Sequence, residues 1–234
     1  MSNKILSICV PVFNKINFTL SCLKDLSKLP DDHEIIIIDN GSTDNTEEEI
    51  KKISLEPSLH NKLVYKKNKI NLGFARASNR AYSITSAPNV LFLNNDIRVK
   101  SNFANWTEPL IKEMESEVLV GPTMGELDNN LNFIRESNSL LISHNAYMSG
   151  WCLGACKTIW NKLIPQGQLG PFSEDFFCYF EDTDLSFRAN NFKIPFRVVD
   201  IPVVHFGKQT SSQLNTRQLY LQAREIFIRK WKLK

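Results

Sequence analysis

Glu181, Asp182 and Asp184 place three carboxylates within four positions of YFEDTDLSFR, residues 179–188, directly behind two aromatic rings. Carboxylates at that density can take a proton from a hydroxyl, or tolerate positive charge on a carbon that is losing its leaving group. Asp184 and Arg188 stand four apart, so a helix beginning near 181 pairs them on one face and makes them structural. Glu181 and Asp182 then occupy its exposed first turn, where the helix dipole favours their charged forms and mutual repulsion opposes it. Taken alone, the pattern also describes an ordinary acidic helix start. Tyr179 and Phe180 either stack on a ring-shaped ligand or pack the helix onto its neighbours.

Other polar residues follow apolar runs. VPVF ends in Asn14, EIIII runs into DNGSTDNT from Asp39, and FLNN ends in Asp96. In open α/β sheets ligands bind beyond the carboxyl ends of the strands, so these three residues should face one crevice. In DNGSTDNTEEE, Gly41 suits a tight turn, Asp44 an N-cap and Glu47 a capping box. That account leaves Asp39 over, which suits hydrogen bonding to a base or ribose. Asp96 has two readings, a ligand for a hard cation such as magnesium or manganese, or a polar turn that ends a strand.

The elements needed to position these residues are legible as apolar runs alternating with amphipathic stretches, the pattern of parallel strands and crossover helices. It predicts strands near 5–10, 34–38, 62–66 and 89–93, and helices near 16–28, 45–54 and 74–86. EIIII lacks alternation and should be covered on both faces, inside the sheet. From 121 to 149 the texture turns to Gly, Asn, Ser and Glu, which reads as loops and short strands. The expected fold class is α/β, a mostly parallel central sheet with a smaller region beside it, in one domain over 1–234.

Composition excludes several classes. A net charge of +3 without a basic stripe argues against nucleic acid as partner. No apolar run has membrane-spanning length and the start meets a proline early, so the expected place is the cytoplasm. The five cysteines lack paired spacing and should be reduced thiols. Neither GxGxxG nor GxxxxGK[ST] occurs, so a bound diphosphate would need a metal and side chains to neutralise it. His33, His60 and His144 lie in polar stretches and carry no assigned role.

VPVFN, IIIIDNGSTDNT, NLGFARASNRA, FLNND, GWCLGAC, YFEDTDLSFR and HFGKQTS occur in the order and approximate spacing of family 2 glycosyltransferases, inverting enzymes with a GT-A fold, which this chain resembles over almost its whole length. Within that family it resembles the rhamnosyltransferase-like bacterial branch that decorates surface polysaccharide. The resemblance implies a UDP- or dTDP-sugar donor, a saccharide or lipid-linked saccharide acceptor, and Mn2+ or Mg2+ as cofactor. It divides the chain into a nucleotide-sugar half, 1–98, and an acceptor-binding and catalytic half, 99–234.

By the same resemblance, Pro11, Phe13, Asn14, Asp39, Asn71, Gly73, Phe74 and Ala75 belong to the donor site. NND matches an Asp-any-Asp metal motif with Asn94 in place of the first acid. Asp96 is then the metal ligand, with Asn95 beside the ribose or metal shell. Asp182 is the implied base, with Glu181 beside it at the acceptor. Trp151 either lines the site or is core. His205, after IPVV, should sit at a strand end as a metal or diphosphate ligand, with Lys208 next to the donor. Two rivals remain, a sugar-nucleotide nucleotidyltransferase and a noncatalytic binding module. The C-terminal stretch, basic and amphipathic, either packs as the last helix or could rest on an anionic membrane.

Overall fold

The computed structural model describes residues 4–100, 103–207 and 215–233. Four strands, β1 (Leu6–Val12), β2 (His33–Asp39), β3 (Leu63–Lys67) and β4 (Asn89–Leu93), fall within three residues of their predicted places. They alternate with helices α1 (Ile16–Leu26), α2 (Thr46–Ile53), the short α3 (Pro57–His60) and α4 (Phe74–Tyr82). Pairing of β1 with β2, of β2 with β3 and of β1 with β4 is parallel throughout. All seven residues of β2 are buried, as a non-alternating run of isoleucines requires.

Beyond β4 the chain forms β5 (Ile97–Val99), α5 (Glu108–Met114), β6 (Leu119–Gly121), β7 (Met124–Leu127), β8 (Phe133–Ser137) and β9 (Ala146–Met148). These are followed by β10 (Cys152–Cys156), α6 (Lys157–Lys162), α7 (Glu181–Asn191), β11 (Phe196–Val198), β12 (Val203–His205) and α8 (Thr216–Trp231). The main sheet has the order β11-β6-β10-β4-β1-β2-β3, in which β10 runs antiparallel to its neighbours β6 and β4. Apolar clusters cover both faces, one around Leu23, Ile35 and Leu91, the other around Ile36, Phe92 and Trp160. A third holds α7 to α8 through Phe180, Ala223 and Phe227.

Two small sheets position the chemistry. The region 121–149 builds the antiparallel sheet β8-β7-β9. The other pairs β12 with β5, and its register sets His205 opposite Ile97, one residue from Asp96.

Several expectations are corrected. Helix α4 stops at Tyr82 instead of 86, where Ile84 and Thr85 donate to the carbonyls of Ala81 and Tyr82 in tighter turns. At α2 the cap position is Asn45, and Asp44 accepts from the Thr46 N–H at 3.1 Å. Glu47 closes no capping box, because its carboxylate pairs with Lys51 at 2.5 Å and Lys67 at 2.9 Å. His33 is not in a loop: it opens β2, buried, with its ring nitrogens on Asp32 at 2.7 Å and Thr107 at 2.9 Å. All five cysteines are free.

Candidate active site

Helix α7 begins at Glu181 as the sequence predicts, but the two residues before it adopt an unusual backbone. Tyr179 (φ 72°) and Phe180 (φ 63°) are both left-handed, a region that bulky side chains rarely occupy. The following turn presents the acids. Asp182 accepts from the Gly150 N–H through Oδ2 at 3.0 Å and from the Thr183 N–H through Oδ1 at 2.8 Å. A Cβ on Gly150 would stand 3.0 Å from the Asp182 Cβ, so glycine permits this approach. Asp184 turns the other way, fully buried, with Arg188 at 2.8 Å, the Trp231 indole N–H at 3.0 Å and Lys230 at 3.2 Å.

The first turn of α7 is not exposed as expected, because Glu181 and Asp182 face inward, and their environments separate the two acids. Burial and the neighbouring Asp182 carboxylate push the Glu181 carboxyl up to about 8, and its Oε2 is buried without a hydrogen-bond partner. Burial also raises Asp182, but its N–H donors from Gly150 and Thr183 act in the opposite direction. Two carboxylates side by side in a desolvated turn cannot both ionise cheaply, so near neutrality the charge belongs on the partner that accepts hydrogen bonds, Asp182.

Opposite α7, the end of β4 supplies Asn94, Asn95 and Asp96. The Asp96 Oδ1 lies 3.1 Å from the His205 Nε2, and the Asn94 amide reaches the same nitrogen at 3.3 Å. Asn95 is turned inward, its amide donating to Thr19 of α1 at 2.8 Å. The Trp151 indole stacks on the His205 ring, centroids 4.8 Å apart and planes 10° apart. Its N–H reaches Thr123 at 2.9 Å and Glu136 at 3.0 Å. Trp151 is buried, with one edge on the cavity described below.

One carboxylate and one imidazole converging on a single point suit a divalent cation that draws its remaining ligands from phosphate oxygens and water. Among the described residues no third His, Cys, Asp or Glu joins them into a closed cage.

A cavity of about 540 Å³ joins these groups. Pro11, Phe13, Asn71, Gly73, Phe74, Asn95, Asp96, Trp151, Glu181, Asp182 and His205 all line it, so most of the sequence-derived set is brought together. Three others are placed behind its walls. Asp39 is fully buried, accepting from the Ser42 N–H and the Tyr65 hydroxyl, each at 2.7 Å. Asn14 holds the following loop, accepting from the Thr43 N–H at 2.8 Å. Ala75 packs in the core of α4. Lys208 lies outside the described residues.

Sequence reasoning passed over Asn40, Glu136 and Tyr147, which also line the cavity. Asn40 organises one rim: its amide donates to Asn71 at 2.8 Å and to the Gly73 carbonyl at 3.1 Å, and accepts from Asn68 at 2.8 Å. Gly73 (φ 85°) has no room for a side chain, since a Cβ would meet the Phe177 carbonyl at 2.4 Å. Amide-rich loop sequence was the available signal for Asn40. Glu136 and Tyr147 lie in the small sheet, where no motif marked them.

The arrangement, a β-strand-end cavity with an Asp–His pair on one side and a helix-borne carboxylate on the other, is that of the GT-A glycosyltransferase fold. The family model of glycosyl transferase family 2 matches residues 7–168, and the chain belongs to that family. It is 25% identical over 134 residues to glycosyltransferase GlyG of Streptococcus pneumoniae serotype 4, covering 56% of this chain and 44% of that protein. Over 98 residues it is 32% identical to validoxylamine A glucosyltransferase of Streptomyces hygroscopicus subsp. limoneus, covering 40% of this chain and 20% of that one. The matched region thus spans less than half the length of these curated relatives.

Among solved structures, residues 1–349 of S. aureus TarS superpose with a TM-score of 0.58 at 17% identity, covering 93% of this chain and 65% of that one. GalNAc-T7 with UDP, GalNAc and Mn2+ gives 0.66 at 13% identity, covering 86% and 43%. At these identities the likeness establishes the fold.

Proposed function

We propose that the chain carries the catalytic centre of an inverting, metal-dependent glycosyltransferase. It moves a hexose or deoxyhexose from a UDP- or dTDP-sugar to a hydroxyl of a saccharide or glycolipid, in bacterial surface polysaccharide synthesis. One observation carries this reading: Asp182 and the Asp96–His205 pair, the two ends of a displacement reaction, line the same cavity. Family membership supports it, as does the UDP and Mn2+ bound to the GalNAc-T7 neighbour.

In this mechanism residues 1–98 hold the donor, with the nucleotide over Pro11, Phe13 and the Asn71–Phe74 rim. Asp39 and Asn14 shape that floor from behind. Asp96 and His205 would hold Mn2+ or Mg2+, which supplies charge neutralisation to a departing diphosphate. Trp151 orients His205 by stacking, and Glu136 and Thr123 fix Trp151. Asp182 takes the proton from the acceptor hydroxyl as that oxygen bonds to the anomeric carbon. Protonated Glu181 keeps a second negative charge away from that base. Lys208, outside the described residues, keeps its donor-binding role in this reading.

No helix among the described residues is long and apolar enough to cross a membrane. The exposed basic side chains at the end of α8, Arg229 and the capping Lys232, would meet an anionic cytoplasmic surface bearing lipid-linked acceptors.

The test is a thermal-shift titration with UDP, dTDP, GDP and CDP, each with and without manganese. A ligand at about a hundredfold over its dissociation constant adds roughly 2.7 kcal/mol to the native state. A manganese-dependent shift confined to UDP or dTDP is expected; folded protein that shifts with none of them would overturn the reading.

A further inference from the structure

Gly125 of β7 is paired with Glu136 of β8 on one side and with Tyr147 of β9 on the other, so the three form one row across the small sheet. Residues opposite one another in antiparallel strands project from the same face, and Glu136 and Tyr147 both line the cavity that holds Asp96 and Asp182. The middle of the row is open. A Cβ on Gly125 would stand 2.5 Å from the Tyr147 hydroxyl, so the tyrosine ring lies across the glycine and carries its hydroxyl toward Glu136. The Thr123 hydroxyl and the Trp151 indole N–H both use Oε1 of Glu136, at 2.6 Å and 3.0 Å. Among the described residues neither the Glu136 Oε2 nor the Tyr147 hydroxyl has a hydrogen-bond partner. Glu181, with its own buried and unpartnered Oε2, lines the same cavity.

From this geometry we propose that Glu136 and Tyr147 are specificity-determining residues that read hydroxyls of the transferred sugar, and that the sugar they admit is uncharged, a uronic acid being rejected. The proposal rests on the transferase reading above and adds the class of sugar and the residues that select it. On one side of the row stands Asp182, whose charge acts on the Tyr147 phenol. On the other, Trp151 links Glu136 to His205 and through it to Asp96. A ring in transit has to lie between the group that takes the acceptor's proton and the pair that holds the diphosphate, and these two residues occupy that stretch of wall.

The charge of the wall sets the class. Asp96, Glu136, Glu181 and Asp182 bring four carboxyl groups to the cavity, and among the described residues neither lysine nor arginine lines it. Burial, with the carboxylates of Asp182 and Glu136 beside it, raises the Tyr147 phenol, which therefore stays protonated and can donate. A sugar hydroxyl donates to the Glu136 Oε2, and a neighbouring hydroxyl oxygen accepts from the phenol. A carboxylate carried by the sugar would meet Glu136 as a like charge with no lysine or arginine of the wall to pair with, and an unpaired charge of that kind is a strong means of rejection. A site built to bond a hydroxyl also discriminates against a ligand that lacks it.

The experiment is calorimetric titration of the full chain, with manganese, using UDP-glucose, UDP-galactose, UDP-N-acetylglucosamine, UDP-glucuronate and UDP-galacturonate, or the same sugars on dTDP if the thermal shift is confined to dTDP. Each affinity is divided by that of the bare nucleotide for the same variant. Glucose and glucuronate, like galactose and galacturonate, differ only at C6. At least one neutral sugar should exceed both uronates by about tenfold or more. Glu136→Gln should cut that discrimination by about threefold or more, and Tyr147→Phe and Gly125→Ala should each lower the neutral sugar's advantage over bare nucleotide by a similar factor. Weaker support of Trp151 in Glu136→Gln affects bare and sugar-linked nucleotide alike, so the ratio separates reading from support. Binding of the bare nucleotide reports the folding of each variant. A uronate within about tenfold of the tightest neutral sugar, or a discrimination that all three variants leave intact, overturns the assignment. Wild-type protein that binds no nucleotide sinks the transferase reading instead.

Discussion

Trp151 lies flat against His205, ring planes 10° apart, while its indole N–H is held by Glu136 of β8 and by Thr123, which directly precedes β7. Stacked rings of this kind contribute about 0.5–1.5 kcal/mol, so Trp151→Ala should weaken UDP–manganese binding roughly two- to tenfold by the same energy scale. Glu136→Gln should have a smaller effect of the same sign. Isothermal titration calorimetry with UDP at fixed manganese measures both, and an unchanged affinity in folded Trp151→Ala would remove the positioning role.

Asp182→Asn keeps the size of the side chain and its hydrogen bond from Thr183, but loses the one from the Gly150 N–H and the ability to take a proton. Turnover with any active donor and acceptor pair should drop by about 10²–10⁴. Binding of UDP with manganese should hold. A variant that retains turnover would move the base elsewhere.

The raised Glu181 carboxyl predicts a pH dependence of stability. In the unfolded chain the group ionises near its ordinary 4.5, and in the native protein near 8. Between these values the native state binds more protons than the unfolded state, so stability falls as pH rises across that window. Asp182, raised for the same reason of burial, acts with the same sign. Melting temperatures from pH 5 to 9 should decline more steeply in the wild type than in Glu181→Gln; parallel curves would contradict the assignment.

Asp184 is the charged centre of the contact between α7 and α8. Replacing it with Ala strands the Arg188 guanidinium, only 14% exposed, without its carboxylate. Loss of one partner of a buried pair costs about 3–5 kcal/mol. Lys230→Met removes a more exposed partner and should cost less than about 1 kcal/mol. Urea denaturation of the two variants gives the comparison.

The strand ends were readable because their signal is local. β1, β2 and β4 each announce themselves by an apolar run followed at once by Asn or Asp, and the Asp184–Arg188 pair by its spacing on one helix. Burial of His33 was not readable, since its partner Thr107 is far away in sequence. The sealing of Asp39 beneath Tyr65 is hidden for the same reason, as it depends on the lateral pairing of β2 with β3. Glu136 and Tyr147 became site residues only through the folding of β7, β8 and β9 onto the cavity, a non-local event that short alternating stretches do not record. The left-handed pair Tyr179–Phe180 runs against local preference altogether.

That pair also sets an order of events during synthesis. Two consecutive aromatic residues in the left-handed region cost on the order of 1–3 kcal/mol each. The ring contacts that hold Phe180 in place come from Tyr220 and Phe227. Both belong to α8, which follows every other wall of the site in the chain. A nascent polypeptide can therefore finish its first strands and helices while the carboxylate turn is still free to relax, and Glu181 and Asp182 reach their final positions only when α8 has cleared the ribosome and docked.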